Sequence, residues 1–278
     1  MTAVYPLIDV EELTERLDEV LVLDARWQLG RDDGHEEYLA GHIPGAVFVD
    51  VERELSRHGK PHEGRHPLPS DESLAAAARR WGLKQGVSVV VYDDHRMLSA
   101  SRVWWALRRA GVADVRVLDG GWSAWIAEDG EVQTGEVVPT QGDRLLTFPG
   151  DAGIIDTAEA ADWSEHGVLI DVRAAERYRG ETEPIDPVAG HVPGARNLPI
   201  GELLTGDGRF RSGSELVDAF ARVGADGHVP VAAYCGSGIT AAQFALAGAL
   251  IGREVTVYPG SWSAWSNTPG QPVATGED

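Results

Sequence analysis

The chain has 278 residues and a formal net charge of −20, from 24 Lys and Arg against 44 Asp and Glu. That balance argues against partners that need clustered positive charge, nucleic acid and anionic membrane alike. Hydrophobic residues at 43% and nine tryptophans mark a globular protein long enough for two full cores, and a single cysteine forbids an intrachain disulfide.

No apolar run approaches the length of a membrane span, and Met1–Pro6 lacks a signal-peptide pattern. A soluble monomer in the reducing cytoplasm is the expectation. In chain order, Val20–Asp24, Val87–Tyr92 and Val115–Leu118 read as strands, because each is short, apolar and β-branched. Ser70–Trp81 and Ala100–Ala110 read as helices, the first opened by the capping run Ser70-Asp71-Glu72-Ser73. Later, Val229–Tyr234 reads as a buried strand, and Ala241–Ile251 as a buried Ala-rich helix closed by Gly252. The alternation predicts an α/β fold of mainly parallel sheets with helices on both faces, and a site at the carboxyl ends of strands.

The chain repeats itself. Val20-Leu21-Val22-Leu23-Asp24-Ala25-Arg26 recurs as Val168-Leu169-Ile170-Asp171-Val172-Arg173, and Gly41-His42-Ile43-Pro44-Gly45-Ala46 as Gly190-His191-Val192-Pro193-Gly194-Ala195. Val89–Asp93 recurs as Val231–Cys235, and Gly120-Gly121-Trp122-Ser123-Ala124-Trp125 as Gly260-Ser261-Trp262-Ser263-Ala264-Trp265. Four signatures in one order indicate a duplicated domain. The first half holds an insertion, most of it in the loop Arg57–Pro69. Residues 136–152, with Pro139 and Pro149, read as the linker between halves 1–135 and 153–278.

Cys235 sits where the strand ends and Gly236-Ser237-Gly238-Ile239-Thr240 leads into the helix. The two glycines permit backbone turns that aim successive N–H groups inward as an anion nest. A thiolate there is stabilised by those donors and by the helix dipole, and a thiolate is a nucleophile. The competing reading is a buried, inert cysteine, which the glycine loop disfavours.

The duplication, the Asp-x-Arg and Gly-His-x-Pro-Gly-Ala signatures, the Gly-x-Trp-Ser-x-Trp endings and Cys235–Thr240 together resemble the two-domain rhodanese (sulfurtransferase) family. The resemblance implies an inactive first domain and a catalytic second one. Asp93 stands where Cys235 does, and Asp93–Leu98 has no glycine to form a nest, so Asp93 is expected to be a loop carboxylate where the halves meet.

Cys-Gly-Ser-Gly-Ile-Thr is similar to the loop of mercaptopyruvate-type members, whereas thiosulfate-type members carry basic residues after the cysteine. The resemblance implies Cys235 as nucleophile, Gly236, Gly238, Ile239 and Thr240 around the substrate, and Arg177 on its carboxylate. It also implies a proton relay from Ser237 to His66, with Glu52 or Asp50 behind it. A second substrate arginine is missing from Glu183-Pro184-Ile185-Asp186, and Arg179 is the available substitute. Arg173, His42, His191 and Trp262 recur or have mirrors in the inactive half, so they are expected to be structural, with Trp262 also a possible pocket wall.

The implied reaction moves sulfur from a small-molecule donor, 3-mercaptopyruvate, through a Cys235 persulfide. The acceptor is cyanide, a thiol or a thioredoxin-like protein. No cofactor or metal is expected. Three alternatives stand beside it: a thiosulfate:cyanide sulfurtransferase, a non-enzymatic sulfur-binding module and a cysteine phosphatase. The last would need an arginine where Ala241 stands.

Overall fold

The computed structural model describes residues 4–148, 150 and 152–277; Met1–Ala3, Asp278, and Pro149 and Asp151 of the expected linker lie outside the described residues. The chain packs as two units. The first takes Met1–Ser56, Pro69–Gly150 and Gly206–Arg209; the second takes Arg57–Leu68, Asp151–Thr205 and Phe210–Asp278. Most of the insertion in the first half of the sequence therefore belongs to the second unit.

In the first unit, β1 (Leu7–Ile8), β2 (Val20–Asp24), β3 (Val47–Phe48), β4 (Ser88–Tyr92) and β5 (Val115–Leu118) form one parallel sheet in the order β1-β5-β4-β2-β3. Its helices are α1 (Val10–Glu15), α2 (Gly34–Ala40), α3 (Val51–Glu54), α4 (Asp71–Arg80), α5 (Leu98–Arg109) and α6 (Gly121–Ala127). Helix α4 begins where the Ser70 hydroxyl accepts the Ser73 N–H at 3.2 Å, with acids in its first turn and Arg79 and Arg80 in its last, as the helix dipole favours.

In the second unit, β6 (Val168–Asp171), β7 (Arg196–Asn197), β8 (Val231–Tyr234) and β9 (Thr256–Val257) pair in parallel in the order β7-β6-β8-β9. A parallel bridge from Ile154 to Val257 occupies the place β1 has in the first sheet. The helices are α7 (Thr157–Asp162), α8 (Ala175–Tyr178), α9 (Gly213–Arg222), α10 (Ile239–Leu250) and α11 (Ser261–Ser266). Every residue of β6 and β8 is buried, so both faces of the sheet are covered, as parallel sheets require. No described helix is long and apolar enough to cross a membrane.

The four repeated signatures are one packing unit, built twice. The Arg173 guanidinium forks onto Asp171 (2.6–3.0 Å), donates to the Gly190 carbonyl (2.6 Å) and lies 4.6 Å from the Trp262 ring centroid. Arg26 does the same with Asp24 (2.7–3.1 Å), the Gly41 carbonyl (2.6 Å) and Trp122 (4.9 Å). Tyr92 and Tyr234, from the third signature, accept the N–H groups of Ile43 and Val192. Both histidines are buried and stacked on a tyrosine, with Nδ1 at 2.8 and 2.7 Å from the carbonyls of Tyr38 and Tyr178. A buried charge persists only when fully paired, which explains why these residues travel together.

The boundaries shift for local reasons. Strand β8 starts at Val231 because Pro230 has no N–H for a ladder; its carbonyl only accepts from Val168 (2.9 Å). Helices α5 and α10 start two residues earlier than their composition indicates, each after a left-handed residue, Met97 (φ 61°) or Gly238 (φ 85°).

Candidate active site

Strand β8 delivers Cys235 to the N-terminus of the twelve-residue helix α10, and the thiol is 2% exposed. The Gly238 N–H donates to Cys235 Sγ at 3.1 Å. Gly238 must be glycine here: its φ is +85°, and a Cβ would lie 2.5 Å from the Pro259 carbonyl oxygen. Gly236 is different from the expectation. It has no positive φ; what it supplies is space, because a Cβ there would lie 3.0 Å from Arg65 Nη2.

Helix α11 closes the other side. Ser261 Oγ accepts the Cys235 N–H at 3.1 Å, donates to the Tyr258 carbonyl at 2.9 Å and lies 3.9 Å from Sγ. Ser261 holds φ +54°, a region costly for a residue with a side chain, where the matching residue of the first unit is Gly121. The Trp262 and Ser263 N–H groups bond the carbonyls of Cys235 and Gly236 at 3.0 and 2.9 Å, which fixes the loop backbone. Sequence reading passed over Ser261. The available signal was the Gly-to-Ser difference between otherwise matching repeats.

The segment Arg57–Leu68 packs onto α11 through a 3-10 turn at Pro61–Glu63. Its path is fixed by the Arg65 N–H on Ser263 Oγ (3.1 Å) and by the Arg57–Glu63 ion pair. It brings His66 Nδ1 to 2.8 Å from Ser237 Oγ, both buried. His58 and His62, on the same segment, are exposed. Asp50 caps α3 through the Arg53 N–H (3.0 Å), and Glu52 is exposed.

Arg177, on α8, reaches the loop, with Nη1 and Nη2 3.7 and 3.8 Å from a Cβ placed on Gly236. Its Nε and Nη2 bond Glu183 at 2.7–3.2 Å. Arg179 is turned elsewhere, paired with Glu181 at 2.7 and 2.9 Å in a surface contact. The second guanidinium at the loop is that of Arg65, which the sequence reading did not single out. It is paired with Asp186. Burial raises the Glu183 carboxyl, but the Arg177 hydrogen bonds and charge, together with the N–H groups of Ile185 and Asp186, outweigh it and hold the group below its usual range. Burial pushes Asp186 up against the opposing pull of Arg65. Ile239 is buried in the first turn of α10, and Thr240 is half-buried beside it.

The matching position of the first unit is built for a fixed anion. Asp93 is fully buried and accepts from the N–H groups of His95 (2.8 Å), Met97 (2.9 Å) and Ala100 (2.8 Å) and from the Ser99 hydroxyl (3.1 Å). The expectation that a loop without glycine forms no nest is corrected. Arg96 and Met97 supply the left-handed turns, at φ 58° and 61°, and the carboxylate compensates by satisfying the donors they aim inward.

The family model described as "Rhodanese-like domain" matches residues 9–128 and 156–268. A Mycobacterium tuberculosis protein with the provisional name thiosulfate sulfurtransferase SseB is 47% identical over 261 residues, 93% of this chain and 92% of that one. A Pseudomonas aeruginosa protein, provisionally named 3-mercaptopyruvate sulfurtransferase, is 42% identical over 280 residues, 98% of each chain. The crystal structure of SseA from Escherichia coli, described as a 3-mercaptopyruvate sulfurtransferase with the rhodanese fold, superposes with a TM-score of 0.83. It is 35% identical, over 93% of this chain and 99% of that one.

Proposed function

We propose that this chain, which belongs to the rhodanese-like domain family and is a sulfurtransferase, takes sulfur from 3-mercaptopyruvate onto Cys235 and passes it to a thiol or to cyanide. The observation that carries the reading is the Cys235 thiol on the Gly238 N–H at the head of α10, with the Ser237–His66 pair in the same loop.

The chemistry follows from that arrangement. The Cys235 thiolate attacks the donor sulfur, an S–S bond forms, and the C–S bond breaks with its electron pair leaving on the enolate of pyruvate. Ser237, hydrogen-bonded to His66, protonates the enolate. The terminal sulfur of the persulfide carries the negative charge that the loop N–H groups and the start of α10 stabilise. An acceptor nucleophile then takes that sulfur and regenerates the thiolate. Arg177 holds the donor carboxylate through Nη1, the edge that Glu183 leaves open.

The working domain in this reading is residues 153–278 together with the segment that bears His66; 136–152 links it to the half whose nest Asp93 fills. We place the enzyme in a reducing cytoplasm as a monomer, where a thiol acceptor is abundant. Thiosulfate is the second reading, favoured by the name of the M. tuberculosis relative. Steady-state assays with cyanide as acceptor separate the two: kcat/KM is expected to be higher for 3-mercaptopyruvate, and a higher value for thiosulfate overturns the donor assignment.

A further inference from the structure

Two guanidinium groups converge on Gly236, the residue after the candidate nucleophile. Each is held from behind by a buried carboxylate. Glu183 takes Nε and Nη2 of Arg177, and Asp186 takes Nη1 of Arg65. Asp186 Oδ2 also lies 3.5 Å from Arg177 Nη2, so one carboxylate steadies both cations. The side chains of Asp186 and Glu183 are only 2% and 3% exposed. Among the described residues Arg177 Nη1 and Arg65 Nη2 make no hydrogen bond, and these edges lie 3.7 and 3.0 Å from a Cβ placed on Gly236.

We propose that Arg65 is a second donor-binding arginine, positioned by Asp186, and that Asp186 tunes the site toward a singly charged donor. This rests on the reading that Cys235 accepts sulfur from an anionic donor. Two planar groups with free N–H edges on the same side of Gly236 form a fork that matches a carboxylate. Formal charges cancel across the connected set, Arg65, Arg173 and Arg177 against Asp171, Asp186 and Glu183. A monoanion gains the hydrogen bonds of the fork, while a dianion lacks the net positive field that would reward its extra charge. Arg65 comes from the insertion and Arg177 from α8, so the pair is invisible to sequence spacing.

The test uses the full chain, both donors and cyanide. Arg65→Ala is expected to raise KM for 3-mercaptopyruvate about tenfold while kcat changes less than about threefold, and Arg65→Lys to recover part of the loss. Because Arg65→Ala leaves buried Asp186 with only its longer contact to Arg177, the double variant Arg65→Ala/Asp186→Asn is run beside it and is expected to show the same rise in KM. Asp186→Asn alone is expected to raise the kcat/KM ratio of thiosulfate to 3-mercaptopyruvate about tenfold. An unchanged KM in both Arg65→Ala variants overturns the binding role, and an unchanged ratio in Asp186→Asn overturns the tuning role.

A second arm does not depend on sulfur transfer. The ratio of Cys235 alkylation rates by iodoacetate and by uncharged iodoacetamide is expected to fall about tenfold in Arg65→Ala. If neither donor supports turnover in the wild type, the functional reading fails while this ratio still decides whether Arg65 draws a carboxylate to Cys235. An unchanged ratio overturns the inference whatever the donor.

Discussion

The Nδ1 of His66 lies 2.8 Å from the Ser237 hydroxyl oxygen, between side chains 171 residues apart in the sequence and both buried. A buried hydroxyl with an imidazole partner is poised to pass a proton. His58 and His62 belong to the same segment and remain exposed. His66→Ala is expected to lower kcat for 3-mercaptopyruvate at least about tenfold, a bound set below the roughly 10²–10⁴-fold typical of general acid–base groups, with His58→Ala and His62→Ala near wild type. Equal, small effects in all three would leave His66 a structural partner of the loop.

Arg177 presents Nη1 toward Gly236 while Glu183 holds its other edge. Loss of one charge-assisted carboxylate contact costs roughly 1.5–3 kcal/mol, so Arg177→Ala is expected to raise KM for 3-mercaptopyruvate at least about tenfold. A melting curve accompanies the kinetics, because the variant also deprives buried Glu183 of one of its two arginine partners. An unchanged KM in a folded variant would remove Arg177 from donor binding.

Asp93 satisfies four donors inside the first unit. Asp93→Ala leaves them buried and unpaired, so urea unfolding is expected to show a loss of at least about 2 kcal/mol, with kcat/KM per folded molecule unchanged. Loss of turnover without loss of stability would contradict a purely structural role.

Glu183 gives a pH signature. Its carboxyl is held below the usual 4.5, so the stability it contributes is complete above that value and is lost as pH falls through the depressed one. Glu183→Gln deletes this contribution, and its unfolding free energy is expected to fall less steeply below pH 4.5 than that of the wild type. The variant is also less stable at neutral pH, because Arg173 and Arg177 lose a partner. The slope is therefore the readout, and identical slopes would refute the coupling.

Much of this was legible in the chain. Strands β2 and β5 lie where β-branched runs place them, and the four signatures recur because each half rebuilds the same fork of arginine, aspartate and glycine carbonyl. Strand-to-helix punctuation located the Cys235 loop. Other features were hidden because they depend on through-space partners. The arginine expected along the chain after Arg177 has no counterpart there, and Asp186 stands in that stretch. A buried carboxylate needs a cation, and Arg65 supplies it from 121 residues away. Gly236 was read as a backbone requirement, yet its backbone is ordinary; the crowding comes from Arg65. The nest around Asp93 escaped notice because left-handed arginine and methionine are too unfavourable to expect without the four bonds that support them.

The most direct test of sulfur transfer through Cys235 is the intact mass of the protein after incubation with 3-mercaptopyruvate and no acceptor. The wild type is expected to gain the mass of one sulfur atom, localised to the peptide bearing Cys235 and discharged by cyanide. Cys235→Ser is expected to gain nothing and to turn over no faster than buffer. An unmodified Cys235 in protein that still produces pyruvate and transfers sulfur, or turnover by Cys235→Ser above the buffer control, would contradict the persulfide mechanism.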